Sequence, residues 1–181
     1  DLFVAANKTS GRHQVDITGL IGQYAHGNEP SHHMAYLYNF VNKPAKTQEK
    51  VRQILTELYT NTPDGIAGNE DCGQMSAWYI FSALGFYPVT PGSNQYIIGA
   101  PLFEKATLNL ENGNTFTVQA NRLSEKNKYI KSVTLNGKEH PFSYIQHHAI
   151  MQGGLLVFEM TDQPSDWGTQ DAFIPVTKIE D

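Results

Sequence analysis

The hydrophobic pattern in the first half of the chain predicts three helices that differ in how many of their faces are apolar. Residues 31–42 and residues 72–85 carry apolar side chains on nearly every side, which indicates helices that are buried all round. Residues 47–60, between them, predict an amphipathic helix with one face toward water. Its apolar positions follow the i, i+3, i+4, i+7 spacing and are Val51, Ile54, Leu55 and Leu58.

A polar and acidic stretch precedes each of the two apolar helices. Residues 27–30 read Gly-Asn-Glu-Pro, and residues 68–71 read Gly-Asn-Glu-Asp. Asp71 is predicted to be the N-cap of the second apolar helix, with Gln74 completing the capping-box spacing. The order of buried, amphipathic and buried helices is typical of a concentric double-layer helical barrel, whose inner helices begin at the same rim. We therefore expect the two acidic stretches to meet in space, and the helices to be a piece of such a barrel.

After Pro88 the pattern changes to short runs that are rich in β-branched and aromatic residues. Asn-Gly pairs at residues 112–113 and 136–137 predict hairpin turns with strand on both sides. Residues 95–160 are therefore predicted to form an antiparallel sheet or a small sandwich. Helices followed by strands make the predicted fold class α+β.

Composition and charge narrow the classes of partner. The chain has 181 residues, a net charge of -5 and no cluster of Lys and Arg, which argues against a nucleic-acid partner. No apolar run reaches the length that spans a membrane, and no leader is visible after Asp1. Cys72 is the only cysteine, so neither an internal disulfide nor a Cys-rich zinc site is expected.

Glu29, Glu70 and Asp71 are the candidate catalytic or metal-binding carboxylates. Helix capping explains an acidic residue before a helix equally well. Together with the neighbouring asparagines they offer only oxygen ligands, which suits a hard cation such as calcium. Their spacing is not that of an EF-hand loop.

Histidine pairs and aromatic residues are further candidates. His32 and His33 stand at the start of the first apolar helix, where a hydrogen bond to a substrate and a structural role are equally favoured. For His147 and His148, a surface strand or loop is favoured over a site. For Trp78, packing in the core is favoured over stacking on a sugar ring.

Three segments carry a resemblance to a known family. Residues 22–33, 68–79 and 82–89 resemble glycoside hydrolase family 92, whose members are calcium-dependent, exo-acting α-mannosidases, often described as α-1,2-mannosidases. The resemblance continues in a looser form through residues 164–168 and covers nearly the whole chain.

The resemblance implies an architecture. A full member of the family is several times longer than this chain and has an N-terminal β-sandwich and an (α/α)6 catalytic barrel. Residues 1–92 then correspond to the last helices of that barrel, and residues 93–181 to a strand-rich C-terminal subdomain. The remainder of the full-length chain is an expected partner of this segment.

The resemblance also implies a mechanism, which is hydrolysis with inversion at the anomeric carbon. It places the general base at Asp71, with Glu70 beside it, and calcium near the rim with Asn28, Glu29 and Asp71 as ligands. The general acid belongs to a segment before Asp1. We therefore expect the isolated chain to have little or no activity.

Substrate contacts are implied for His32, His33 and Asn69, and the implied substrates are mannose-containing glycans, as in N-glycan degradation. The buried faces of the apolar helices would lack their partners in an isolated chain, so self-association is expected. The implied location is periplasmic, secreted or at the surface of a bacterium.

A non-catalytic module is the competing interpretation. The strand-rich half alone would permit a calcium-assisted carbohydrate-binding or structural module. The acidic stretches before the apolar helices favour the enzyme, because a binding module does not need a general base.

Overall fold

The computed structural model describes residues 2–8, 10 and 17–176. Short 3₁₀ helices lie at Leu2–Val4, Glu29–Ser31, Met34–Val41 and Asp171–Phe173. The α-helices are α1 (Pro44–Glu57), α2 (Gln74–Leu84) and α3 (His147–Met151). The first four strands along the chain are β1 (Leu20–Ile21), β2 (Tyr24–Ala25), β3 (Phe86–Tyr87) and β4 (Gln95–Ile98). The remaining strands are β5 (Lys105–Asn109), β6 (Thr115–Asn121), β7 (Tyr129–Leu135), β8 (Lys138–Glu139), β9 (Tyr144–Gln146) and β10 (Gly154–Thr161).

The first apolar helix is a 3₁₀ helix rather than an α-helix. With three residues per turn, the side chains at i and i+3 lie on one line along the helix. Tyr36 and Asn39 share such a line, and both are fully buried. The Tyr36 hydroxyl donates to Ser82 Oγ at 2.8 Å, while the Asn39 amide donates to Ile98 O at 2.9 Å. The tighter helix therefore aims both polar groups into the core at once.

The amphipathic helix is confirmed as α1, and it begins a few residues earlier than predicted because Pro44 is favourable in a first helical turn. Val51 and Ile54 are fully buried. Part of its polar surface is buried as well, since Gln48 Oε1 accepts a hydrogen bond from the Ile130 amide of β7 at 2.9 Å. This bond fastens α1 to the strand-rich half of the chain.

The expectation that the two apolar helices are buried all round is wrong for the described chain. Three of their large apolar side chains are exposed: Leu37 at 44%, Val41 at 57% and Ile80 at 57%. Helical periodicity puts apolar residues on every face, but the described elements cover only some of those faces. None of the described helices is long and apolar enough to cross a membrane.

The second half forms two sheets, and the α+β fold class is confirmed. One sheet has the order β5-β6-β10-β7-β8, and the other has the order β3-β4-β9. The Asn-Gly hairpins lie where the sequence predicts them, between β5 and β6 and between β7 and β8. The larger sheet is mixed rather than purely antiparallel, because β10 inserts between β6 and β7 and runs parallel to β6. Turn residues specify only neighbouring strands, so they could not indicate this long-range pairing.

The three-stranded sheet separates two hydrophobic cores. Successive side chains on a strand point to opposite faces. On β4, Ile98 packs into a core shared with the larger sheet, and Ile97 packs into the core of the helical half. On β9, Ile145 likewise packs into the core shared with the larger sheet, and Tyr144 packs against the core of the helical half. Strand β3 lies before the predicted boundary between residues 92 and 93 and pairs with β4 after it, so one sheet contains both sides of that boundary.

We predict that Asn39→Ala lowers the free energy of unfolding by about 2 kcal/mol, because it removes the amide that donates to Ile98 O and Ser143 O, both at 2.9 Å. Urea unfolding measures the change. The control is Asn61→Ala at an exposed loop position, expected to stay within about 0.5 kcal/mol of the wild type. Equal effects of the two variants would contradict the role of Asn39.

Candidate functional site

The backbones of the two acidic stretches are in contact. A Cβ atom added at Gly68 would lie 2.5 Å from Gly27 O, which is closer than Cβ atoms approach an oxygen in real proteins. Gly68 also has φ +75°, a conformation that favours glycine. The two Gly-Asn-Glu sequences therefore begin side by side, although their glycines are 41 positions apart along the chain.

His32 provides a second connection between the stretches. Its Nδ1 lies 2.7 Å from Gln74 Nε2, in the first turn of α2, and its Nε2 lies 2.9 Å from His26 O. A carbonyl oxygen can only accept, so the proton of His32 is on Nε2, and Nδ1 accepts from the Gln74 amide. The His32 carbonyl in turn accepts from Trp78 Nε1 at 3.0 Å. Burial lowers the pKa of His32, which favours this neutral form.

Glu70 is held against the start of α2. Its Oε1 accepts from the Ser76 amide at 3.0 Å, and its Oε2 accepts from the Ser76 hydroxyl at 2.9 Å. Ser76 is the third residue of α2, where backbone amides have no partner inside the helix. Glu70 therefore performs the capping interaction that the sequence assigned to Asp71.

Asp71 is not the N-cap of α2, because a left-handed turn separates it from the helix. Asp71, Cys72 and Gly73 have φ values of 47°, 60° and 89°, and Gly73 occupies the N-cap position. The Glu70 carbonyl accepts from the amide of Gln74 at 3.0 Å and closes the turn. Left-handed conformations cost non-glycine residues about 1–2 kcal/mol each, with Asp among the more tolerant. Strain of this kind is often found at functional sites, which is consistent with the place of the turn in the candidate site.

The remaining predicted metal and substrate residues differ in exposure. Glu29, Asn69 and Asp71 are exposed, and Asn28 and His33 are half-buried. Asn28 is extended and immediately precedes the 3₁₀ helix Glu29–Ser31.

His32 is the exception among the predicted substrate residues. It is only 2% exposed, and both of its ring nitrogens are bonded within the chain. Its observed contacts are therefore structural.

The chemistry of these side chains fits a hard cation, because the exposed groups are carboxylates and amides. No three His, Cys, Asp or Glu side chains in the described part of the chain are grouped so that they could hold a metal ion. A calcium ion held by Asn28, Glu29 and Asp71 would thus depend on amide oxygens and on further ligands such as water. The ligand set stays a prediction.

A buried hydrogen-bonded chain, which the sequence analysis missed, lies beneath Glu70. Tyr59 donates to Met75 O at 3.2 Å, so its oxygen accepts from His26 Nε2 at 2.7 Å. His26 Nδ1 then accepts from the Tyr24 hydroxyl at 2.7 Å. Burial is the main cause that lowers the pKa of His26 to about 3. In the sequence, only the position of His26 directly before the Gly-Asn-Glu stretch could have indicated that His26 belongs to the site.

Aromatic rings fill the space around this chain. Tyr59 stacks on Trp78 with a centroid distance of 6.0 Å and an interplanar angle of 2°. Burial raises the pKa of Tyr59, and the negative charge of Glu70 raises it further. Trp78 is fully buried, which confirms its predicted place in the core. The prediction of surface positions for His147 and His148 is also confirmed, although they lie in the short helix α3.

The family of the chain follows from comparison with known proteins. The family model for the glycosyl hydrolase family 92 catalytic domain matches residues 1–162. The chain belongs to glycoside hydrolase family 92.

Solved structures of the family have the same fold in this region. A family GH92 α-mannosidase of Bacteroides thetaiotaomicron, in complex with mannoimidazole, is 44% identical with a TM-score of 0.93, over 97% of this chain and 23% of that chain. A family GH92 inverting mannosidase of the same organism is 46% identical with a TM-score of 0.80, over 85% of this chain and 21% of that chain. An uncharacterized secreted glycosidase of Arthroderma benhamiae is 34% identical, over 82% of this chain and 20% of its own length. The chain thus spans about a fifth to a quarter of the relatives that it matches.

We predict that Gly68→Ala is more destabilising than Gly73→Ala, although both glycines have positive φ. A methyl group at Gly73 would have no atom within 4 Å, so only the backbone conformation costs free energy, about 1 kcal/mol. At Gly68 the same methyl group would also collide with Gly27 O, adding about 1–3 kcal/mol. Thermal unfolding of both variants measures the difference, and similar melting temperatures would show that the two stretches do not depend on this contact.

We also predict that acid destabilises the fold partly through His26. Below its ordinary pKa of 6.5 the unfolded chain binds a proton at this residue, while the folded chain does not until about pH 3. The free energy of unfolding therefore falls as the pH drops through this window, by at most about 1.4 kcal/mol per pH unit from this group. His26→Gln removes the titration, so its unfolding free energy should fall less steeply with acid. Parallel slopes for wild type and variant would rule out this contribution.

Proposed function

We propose that this chain supplies one wall of the active site of an exo-acting α-mannosidase, which removes terminal α-linked mannose from glycans by calcium-assisted, inverting hydrolysis. The observation that carries the proposal is the contact of Gly27 with Gly68, which sets two acidic stretches side by side. The similarity to an α-mannosidase in complex with mannoimidazole and to an inverting mannosidase supports it.

In this mechanism Asp71 is the general base. Its carboxylate takes a proton from a water molecule as the water oxygen attacks the anomeric carbon. The bond from that carbon to the leaving oxygen breaks on the opposite face, and a general acid protonates the leaving oxygen. We place the general acid outside residues 1–181. In this mechanism Asn69 and His33 would orient the sugar.

Asn28, Glu29 and Asp71 would hold the calcium ion. When bound, such an ion would supply Lewis-acid stabilisation to the hydroxyl groups of the terminal mannose. These side chains would contribute the negative charge and the oxygen atoms that such an ion requires.

The proposal includes partners and a location. We expect Leu37, Val41 and Ile80 to be covered by the remainder of the full-length protein, because exposed large apolar groups on neighbouring helices mark an interface. The isolated 181-residue chain should then self-associate. A periplasmic, secreted or cell-surface location is supported by the similarity to a secreted glycosidase.

The proposal is tested with the full-length enzyme and an α-mannoside, by following the released sugar with NMR. We expect β-mannose as the first product and loss of turnover when calcium is chelated. Glu29→Ala should weaken calcium binding and activity together, whereas Glu139→Ala, at an exposed position on β8, should change neither.

Each result that would contradict the proposal points to a different part of it. Release of α-mannose would overturn inversion, and full activity of the Glu29 variant after dialysis against chelator would remove Glu29 from the ligand set. Binding of mannose without any hydrolysis by the full-length protein would favour a non-catalytic module. The isolated chain should show little or no turnover, since general acid catalysis is worth about 10²–10⁴-fold.

A further inference from the structure

The geometry points to different roles for the two adjacent acidic residues of the second stretch. We propose that Glu70 is a positioning residue, which acts through Ser76 to hold the left-handed turn, and that it does not take the proton from water. This inference rests on the proposed function and divides a role that the sequence leaves shared between Glu70 and Asp71.

The side-chain carboxylate and the backbone carbonyl of Glu70 both accept hydrogen bonds from the first turn of α2. Its two carboxylate oxygens accept from the amide and the hydroxyl of Ser76, at 3.0 and 2.9 Å. Its carbonyl accepts from the amides of Gln74 and Met75, at 3.0 and 3.3 Å. A general base must gain a proton during the reaction, and protonation of Glu70 would weaken the two bonds that Ser76 donates.

Asp71 differs from Glu70 in its exposure to solvent. It is exposed, whereas Glu70 is half-buried. Because the Asp71 side chain is exposed in the described part of the chain, water can reach it.

The turn needs an external restraint. Asp71 and Cys72 both have positive φ without being glycine, and strained conformations persist only when the surrounding structure over-determines them. The clamp from Glu70 to Ser76 fixes the chain immediately before the turn, and α2 fixes it immediately after. Loss of the clamp should therefore displace the Asp71 carboxylate while leaving its chemistry intact.

The experiment uses azide with the full-length enzyme and an aryl α-mannoside. In a variant without the general base, azide replaces water, because the azide anion attacks the anomeric carbon without losing a proton. The bond from that carbon to the aryl oxygen breaks, the aryl oxide leaves with or without the proton of the general acid, and the product is β-mannosyl azide. Asp71→Ala should lower hydrolysis by about 10²–10⁴-fold and should form this product.

The Glu70 variants should behave differently. Glu70→Ala should lower kcat by less than Asp71→Ala does, and it should form no β-mannosyl azide, since its base is still present. Glu70→Gln, which keeps an acceptor for the Ser76 amide, should restore part of the loss and keep the acidic limb of the pH profile of kcat/KM. Ser76→Ala should reproduce the loss in Glu70→Ala, and the double variant should be little worse than either single variant.

The outcomes separate this inference from the proposed function. Absence of α-mannoside hydrolysis by the wild type would reject the proposed function itself. If the wild type is active, β-mannosyl azide from Glu70→Ala or Glu70→Gln, or its absence from Asp71→Ala, would overturn the division of roles. Circular dichroism identifies any variant that has failed to fold, and the conservative Glu70→Gln and Ser76→Ala variants then decide.

Discussion

The contact between the Gly27 and Gly68 backbones is the constraint on which the candidate site depends. Side chains larger than hydrogen would hold the two stretches apart, since a Cβ atom at Gly68 would lie 2.5 Å from Gly27 O. Glycine also permits the positive φ that turns the chain at residue 68. The hydrogen bond between Gln74 and His32 then repeats the connection at the start of α2. Together they place Glu29 and the left-handed turn on neighbouring loops.

The interior beneath these loops is unusually polar for a core. His26 and His32 are both buried, and each ring nitrogen has a partner within the chain. Buried polar groups are costly when unpaired, so the pairing of all four ring nitrogens favours one arrangement of the two histidines. Tyr59, which accepts from His26, also stacks on Trp78.

The three-stranded sheet connects the helical half to the strand-rich half. Its alternate side chains enter different cores, so neither half can be removed without exposing one face of the sheet. On the helical half, the large apolar side chains of Leu37, Val41 and Ile80 remain exposed. These are the side chains that we propose are covered in a longer protein, since the chain spans about a quarter of the structures that it matches.

The sequence by itself determined the local features of this protein. Periodicity identified α1 and α2, Asn-Gly pairs located the hairpins, and the Gly-Asn-Glu stretches located the candidate site, because each of these signals acts over a few residues. Only the tertiary structure decided the rest. The 3₁₀ form of residues 34–41, the parallel pairing of β10 with β6, and the buried role of His32 all depend on partners that are distant in sequence. The sequence pattern also treats the adjacent residues Glu70 and Asp71 alike. In the structure they differ, because Ser76 donates two hydrogen bonds to the Glu70 carboxylate, whereas Asp71 belongs to the left-handed turn.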